Sequence, residues 1–290
     1  MKPTRTIFFG TPEIAARLLR EAAGWPWLEI VAVITEPAKP AGRGRQLTDS
    51  PVKIAAQELD LTVIEPANRA ELVAAAQGAE LGLLLAYGRI LPPEVLRAFP
   101  QGIVNLHPSL LPKYRGPAPV FWPILNGDAE TGVSIMLLDA GCDTGPLLAQ
   151  QTTCIAPTDT TERLTDRLIG LGIGLLAESL PQYLNGELSP QPQRGEATLT
   201  RKLASTDGQI DWSQPAEQIE RQVRACLTWP RARASWHGES LLILEAKIVD
   251  GQLEPVTVQP AGRRAMPWVD FCRGQRLHEA AALNELTRLS

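Results

Sequence analysis

Strand-length apolar runs recur along the first 190 residues, separated by stretches in which apolar positions return every three or four residues. Thr4 to Phe9 reads as a short buried strand. Thr11 then offers a helix cap, Pro12 a first helical residue, and Ile14, Leu18 and Leu19 one apolar face. Leu28 to Ile34 repeats the strand signal. Ser50-Pro51 starts a helix through Leu59, Thr62 to Ile64 is a further strand, and Asn68 caps a helix from Glu71 to Ala76. Leu81 to Ala86 is a strong apolar strand, Pro92 to Phe99 a short helix, and Gly102 to His107 a fourth strong strand. Alternation of this kind predicts parallel strands joined by right-handed crossovers, with helices on both faces of the sheet: an α/β domain.

Thr131 to Leu138 and Leu147 to Ile155 predict two more strands, of an antiparallel kind, and Asp159 with Glu162 three positions later resembles a capping box. A long helix follows, whose Leu164, Leu168, Leu171 and Leu175 stripe is expected to pack on the sheet. The Pro- and Gln-rich stretch from Leu188 to Gly195 reads as a linker. The expected organisation is a first domain at 1–188, a linker at 189–200 and a second domain at 201–290. In the last part the pattern changes to one helix, Pro215 to Ala225, and short runs at Arg231 to Trp236, Leu241 to Ile248 and Val256 to Gln259. This predicts a small, mostly-β domain, for which a five-stranded oligonucleotide-binding (OB-like) barrel is one candidate among several small β folds.

At about 150 residues per domain, 290 residues fit two domains. A hydrophobic content of 44% and a charged content of 21% describe an ordinary globular chain. Its apolar runs, such as Leu81 to Tyr87, are far shorter than the ~20 residues of a membrane span, so no membrane partner is expected. The amino terminus lacks a signal-peptide hydrophobic region, which leaves the cytoplasm as the expected location. Four scattered cysteines and three histidines suggest neither a disulfide framework nor a metal site. The net charge of −4 gives no simple argument for nucleic-acid binding, but the distribution is uneven: residues 1–190 carry −5 and residues 191–290 carry +1. Two glycine-rich stretches imitate nucleotide motifs. Gly170-Leu-Gly172-Ile-Gly174 lies inside a helical pattern and reads as close helix packing; Gly42-Arg43-Gly44 lacks a third glycine and follows no strand directly.

Candidate chemistry concentrates after the Gly102 to His107 strand. In open α/β sheets ligands bind outside the carboxyl ends of the strands. Strand alternation puts Asn105 and His107 on one face there, an amide donor beside a titratable base, and Pro108 keeps the chain extended as it leaves the sheet. A second cluster, Asp139-Ala-Gly141-Cys142-Asp143-Thr144-Gly145-Pro146, joins two strands with two carboxylates and two glycines. By composition it is a turn; a carboxylate brought beside the imidazole would fix its tautomer for general acid–base chemistry.

Together, Asn105-x-His107, the run Ser109-Leu-Leu-Pro-x-Tyr-Arg-Gly116 and Asp139-x-Gly-x-Asp143-Thr-Gly145 resemble the signature of the formyltetrahydrofolate-dependent formyltransferases. Phe8-Phe9-Gly10-Thr11-Pro12, Pro40-Ala-Gly-Arg43-Gly-Arg45 and Ser50-Pro51-Val52-Lys53 are similar to the branch that acts on aminoacylated tRNA, and the resemblance covers nearly the whole chain. It implies a Rossmann-like catalytic first domain and a tRNA-binding second one. The implied reaction is formyl transfer from 10-formyltetrahydrofolate to the amino group of methionyl initiator tRNA, by a monomer and without a metal. By motif, Asn105, His107 and Asp143 become the catalytic trio; Ser109, Leu110, Leu111 and Pro112, with Leu85, Tyr87, Gly88 and Ile90, become folate contacts.

The loop Pro37 to Lys53 has a local charge of +3 and two flexible glycines, and by resemblance it is an arm on the tRNA acceptor end, with Lys39, Arg43 and Arg45 as contacts. In the last hundred residues, Arg221-Gln-Val-Arg224, Trp229-Pro230, Arg263-Arg264 and Arg273 are similar to the family's tRNA-binding domain. Thr198-Leu-Thr-Arg-Lys202-Leu203 departs from the family's tyrosine and alanine pattern. Two other readings stay open: a formyltransferase for an amino sugar or another small amine, and a non-catalytic RNA-binding module with a vestigial folate pocket.

Overall fold

The computed structural model of the chain describes residues 2–41 and 46–288. β1 (Thr4–Gly10) leads through α1 (Glu13–Ala23) to β2 (Leu28–Ile34), the antiparallel pair β3 (Lys39–Ala41) and β4 (Gln46–Thr48), α2 (Pro51–Glu58) and β5 (Val63–Ile64). α3 (Arg69–Ala75), β6 (Leu81–Leu85), α4 (Pro93–Leu96) and β7 (Ile103–His107) follow, then α5 (Phe121–Asn126), β8 (Glu130–Leu137), β9 (Leu147–Cys154) and the long α6 (Thr161–Leu184). Seven strands form one sheet in the order β5-β2-β1-β6-β7-β8-β9. The pairs from β5 to β7 are parallel, and β8 runs antiparallel to β7.

Alternation along each strand divides the core between the two faces of this sheet. Phe8, Val33, Leu83, Val104 and Leu106 join one buried cluster with Leu18 and Leu19 of α1 and Leu176 and Leu180 of α6. Ile7, Phe9, Ile34, Leu84 and Ile103 join the other, with Leu72 of α3 and Val95 of α4. Asn105 and His107 share the parity of Ile103, so the pleat turns them away from α6 at the carboxyl end of β7.

Local expectations hold where the chemistry is local. Ser50 Oγ accepts from the Lys53 amide (3.0 Å) and Asn68 Oδ1 from the Glu71 amide (3.1 Å), each capping the helix that follows. Two expected caps are replaced. Thr11 does not cap α1: its hydroxyl donates to the Tyr87 carbonyl (2.8 Å), tying β1 to the loop after β6. The Asp159–Glu162 box does not form either, because Asp159 turns back to the Ala156 amide (2.7 Å) and Thr160 accepts from Arg163 N (3.3 Å). On α6, Leu164 and Leu168 are fully buried but Leu171 and Leu175 only partly; the buried line continues through Gly172, Leu176 and Leu180, a four-residue step. Gly172 is where helix and sheet come closest: a Cβ there would lie 2.6 Å from Leu106 Cδ1. Gly172 is thus a packing position, whereas Gly174 is exposed with nothing in the way of a Cβ.

The chain divides into two compact units. The first comprises 1–115, 132–152 and 166–199; the second comprises 116–131, 153–165 and 200–290. In the second unit a 3-10 turn (Ser205–Gly208) and α7 (Ala216–Ala225) precede four strands, β10 (Arg233–Trp236), β11 (Glu239–Val249), β12 (Gln252–Pro260) and β13 (Met266–Pro267). They pair in sequence order as an antiparallel sheet, followed by α8 (Trp268–Gly274) and α9 (Glu279–Arg288). The mostly-β expectation is met with four strands rather than five, and α5, α8 and α9 are helices the apolar pattern did not indicate. Among the described residues no helix is long and apolar enough to cross a membrane.

Candidate active site

β7 presents Asn105 opposite Met136 and His107 opposite Ser134 of β8, and both polar side chains are nearly enclosed, at 6% and 5% exposure. A buried imidazole needs partners on both nitrogens. His107 Nε2 lies 3.0 Å from the Tyr114 carbonyl oxygen, and Nδ1 lies 3.8 Å from Asp143 Oδ2. The carbonyl oxygen only accepts, so Nε2 is the nitrogen that donates to it and Nδ1 is the one turned toward the carboxylate.

The two carboxylates of the β8–β9 loop are separated by their surroundings. Asp139 Oδ1 accepts from the Gly141 amide (3.0 Å) and Thr144 Oγ1 (2.7 Å), which commits it to its own turn. Asp143, with φ of 52°, aims its carboxylate at His107. Gly145 closes this loop: a Cβ there would fall 1.9 Å from the Leu137 carbonyl oxygen. Between them, Cys142 has its thiol pushed up by burial and then by the Asp143 charge, which disfavours the thiolate.

The strap after β7 is held from beneath. Ser109 is fully buried and its hydroxyl donates to the Lys113 carbonyl (2.7 Å), so it shapes the strap rather than facing a ligand. Ser134 Oγ donates to the Ser109 carbonyl (2.6 Å) and accepts from the Leu111 amide (3.0 Å), while Gln150 Nε2 reaches Ser134 Oγ and the Leu111 carbonyl, both at 2.8 Å. The Leu111–Pro112 peptide is cis. Ser134 and Gln150 were missed because they read as strand residues of β8 and β9.

The remaining expected folate positions diverge. Leu85 and Tyr87 are buried, Tyr87 edge-on to Phe9 with its phenol pushed up by burial, whereas Ile90 is 94% exposed. Ile90 lines a cavity of about 450 Å³ together with Arg69, Leu72, Arg89, Leu91 and, from the Asp143 loop, Ala140. Apolar walls with a few polar groups suit a flat heterocyclic ligand.

Of the arm, Arg43 and Arg45 lie outside the described residues. Lys39 is exposed and pairs with Glu36, which also takes Arg89 Nε at 3.4 Å. Lys53 bonds Asp49 and Glu65, each at 2.9 Å, which raises its ammonium's affinity for the proton. In the second unit Arg224 is engaged by Glu220 through Nε (2.6 Å) and by the Asp159 carbonyl through Nη1 (2.7 Å).

The chain has relatives among known proteins. A family model described as formyl transferase matches residues 4–180, and one described as its C-terminal domain matches 202–255. The methionyl-tRNA formyltransferase of Roseiflexus sp. (strain RS-1) is 42% identical over 99% of this chain and 98% of its own length. That of Chloroflexus aurantiacus (strain ATCC 29366 / DSM 635 / J-10-fl) is 46% identical over 88% and 84%. The solved methionyl-tRNA formyltransferase from Clostridium thermocellum shares the fold at a TM-score of 0.58 and 19% identity, covering 89% of this chain and 98% of that one. An N-formyltransferase from Helicobacter canadensis, solved with folinic acid and dTDP-3-aminofucose, does so at 0.64 and 21%, covering 86% and 88%. By sequence and by fold, the chain belongs to the formyl transferase family, among the methionyl-tRNA formyltransferases.

Proposed function

We propose that this chain transfers the formyl group of 10-formyltetrahydrofolate to the amino group of methionyl initiator tRNA, giving N-formylmethionyl-tRNA for translation initiation. The observation that carries the reading is the Asp143 carboxylate 3.8 Å from the ring of His107, two residues beyond Asn105 on the same strand face. The amine attacks the formyl carbon and a C–N bond forms. Negative charge grows on the formyl oxygen, the bond to N10 of the folate breaks, the amine loses a proton and N10 gains one. Asn105 donates to the developing oxyanion, an interaction worth about 10²–10³ in rate. Protonated His107 shares that load, and Asp143 orients it and relays the proton, contributions on the order of 10²–10⁴.

The folate ring is assigned to the cavity beside Arg89, Ile90 and Leu91, with Leu110, Leu111 and Pro112 of the strap near the formyl group. Lys39, Arg43 and Arg45 are assigned to the tRNA acceptor end. The protein works as a cytoplasmic monomer.

The test is mass analysis of the aminoacyl group after incubation with 10-formyltetrahydrofolate and methionine-charged initiator tRNA. A formyl mass gain on methionine, lost in His107→Ala, is expected. No gain on methionine, with formylation of a free amino-sugar nucleotide instead, would reassign the acceptor.

A further inference from the structure

Gln193 stands in the stretch that reads as a linker, yet every hydrogen-bonding position of its side-chain amide is filled within the first unit. Its Oε1 accepts from Arg115 Nε (3.1 Å) and from the terminal nitrogen of the same guanidinium (2.6 Å). Its Nε2 donates to the carbonyl of Asp143 and to that of Gly145, both at 2.8 Å. One amide therefore holds the residue after Tyr114, whose carbonyl meets His107 Nε2, and the residue whose carboxylate meets His107 Nδ1. The neighbouring chain adds to the same seam. Thr198 receives Tyr114 N on its hydroxyl (2.8 Å) and Arg115 N on its carbonyl (2.9 Å), and gives its own amide to Pro112 (3.2 Å).

The geometry points to Gln193 as a positioning residue for formyl transfer: it sets the distance between the Asp143 carboxylate and the His107 ring by clamping the two segments that carry their partners. The inference rests on the assignment of Asp143 and His107 made above. Displacement of a catalytic group by about 1 Å can cost 10²-fold in rate, so the two bonds from Gln193 to the backbone on either side of Thr144 bear directly on where the Asp143 carboxylate sits.

The experiment measures single-turnover formylation of methionyl-tRNA by the full chain. Gln193→Ala is expected to lower kcat by roughly ten- to a hundredfold while KM for methionyl-tRNA stays within about twofold. The isosteric Gln193→Glu keeps the Arg115 pairing but turns the two donors into acceptors facing carbonyl oxygens, and it should lose as much. Gln191→Ala, whose side chain reaches only the Ser189 carbonyl, should keep native kcat. In an Asp143→Asn background, Gln193→Ala should cost less than about threefold, because the clamp acts through that carboxylate. Native kcat in Gln193→Glu, or the same fold-loss with and without Asp143, overturns the role of Gln193. Native kcat in Asp143→Asn alone instead overturns the assignment of Asp143.

Discussion

Asp139 and Asp143 stand four positions apart in one loop, and their neighbours give them different work. Asp139 uses a single oxygen to hold Gly141 and Thr144, a task an asparagine oxygen performs equally well. Asp143 faces an imidazole, where the negative charge itself matters. Asp139→Asn should therefore keep kcat within about threefold, whereas Asp143→Asn should lose at least ~10²-fold, read as single-turnover rates on the same tRNA preparation. Equal losses would reject the division. The sequence exposes both acids and, through resemblance, favours one, but turn composition alone treats them alike. Gln193 and Ser134 were illegible for a related reason: an amide or hydroxyl declares its role only through its partners, and those lie 16 to 78 positions away in the chain.

Elements of four or more residues were legible to within a few positions wherever apolar alternation or a side-chain cap marked them. The failures have physical causes. α5 contains Pro123 and follows a Pro-rich strap, so nothing local marks it as helical, and the expected stripe takes a three-residue step from Leu168 to Leu171 where the helix keeps four-residue ones through Gly172. The packing reading of the Gly170-to-Gly174 pattern holds at Gly172, and there it yields a test. Gly172→Ala places a methyl 2.6 Å from Leu106 Cδ1, behind the strand that carries Asn105 and His107. Overpacking of this kind costs about 1–3 kcal/mol, and the thermal midpoint should fall by several degrees. A midpoint unchanged or raised, as alanine's better helix propensity alone would give, would show that α6 and β7 can part without cost.

For the molecule as a whole, the two buried thiols of the second unit set an alkaline limit. Burial pushes Cys226 up to about 12 and Cys272 up to about 11. The unfolded chain releases these protons near pH 9 while the folded chain retains them, so the associated stability is intact below pH 9 and is lost as pH rises toward 12. For Cys226 the loss is on the order of 4 kcal/mol at the upper end. Urea midpoints measured from pH 8 upward should fall, and fall less steeply in Cys226→Ala; parallel profiles would show that Cys226 ionises freely when folded. The change of pattern near residue 190 lies close to the last boundary between the units, at 199/200, but nothing in the sequence marks 116–131 and 153–165 as belonging with the second unit, and Pro and Gln mark an irregular path without saying whether it is packed. Residues 191–199 run against the strap and the Asp143 loop, and this has a consequence for how such chains can be recombined. A catalytic half exchanged between relatives at the end of α6 would leave its own fastening behind and receive a foreign one. Shuffled chimaeras of this family should therefore splice cleanly only beyond residue 199, so that a segment resembling a tether is inherited together with the unit it fastens.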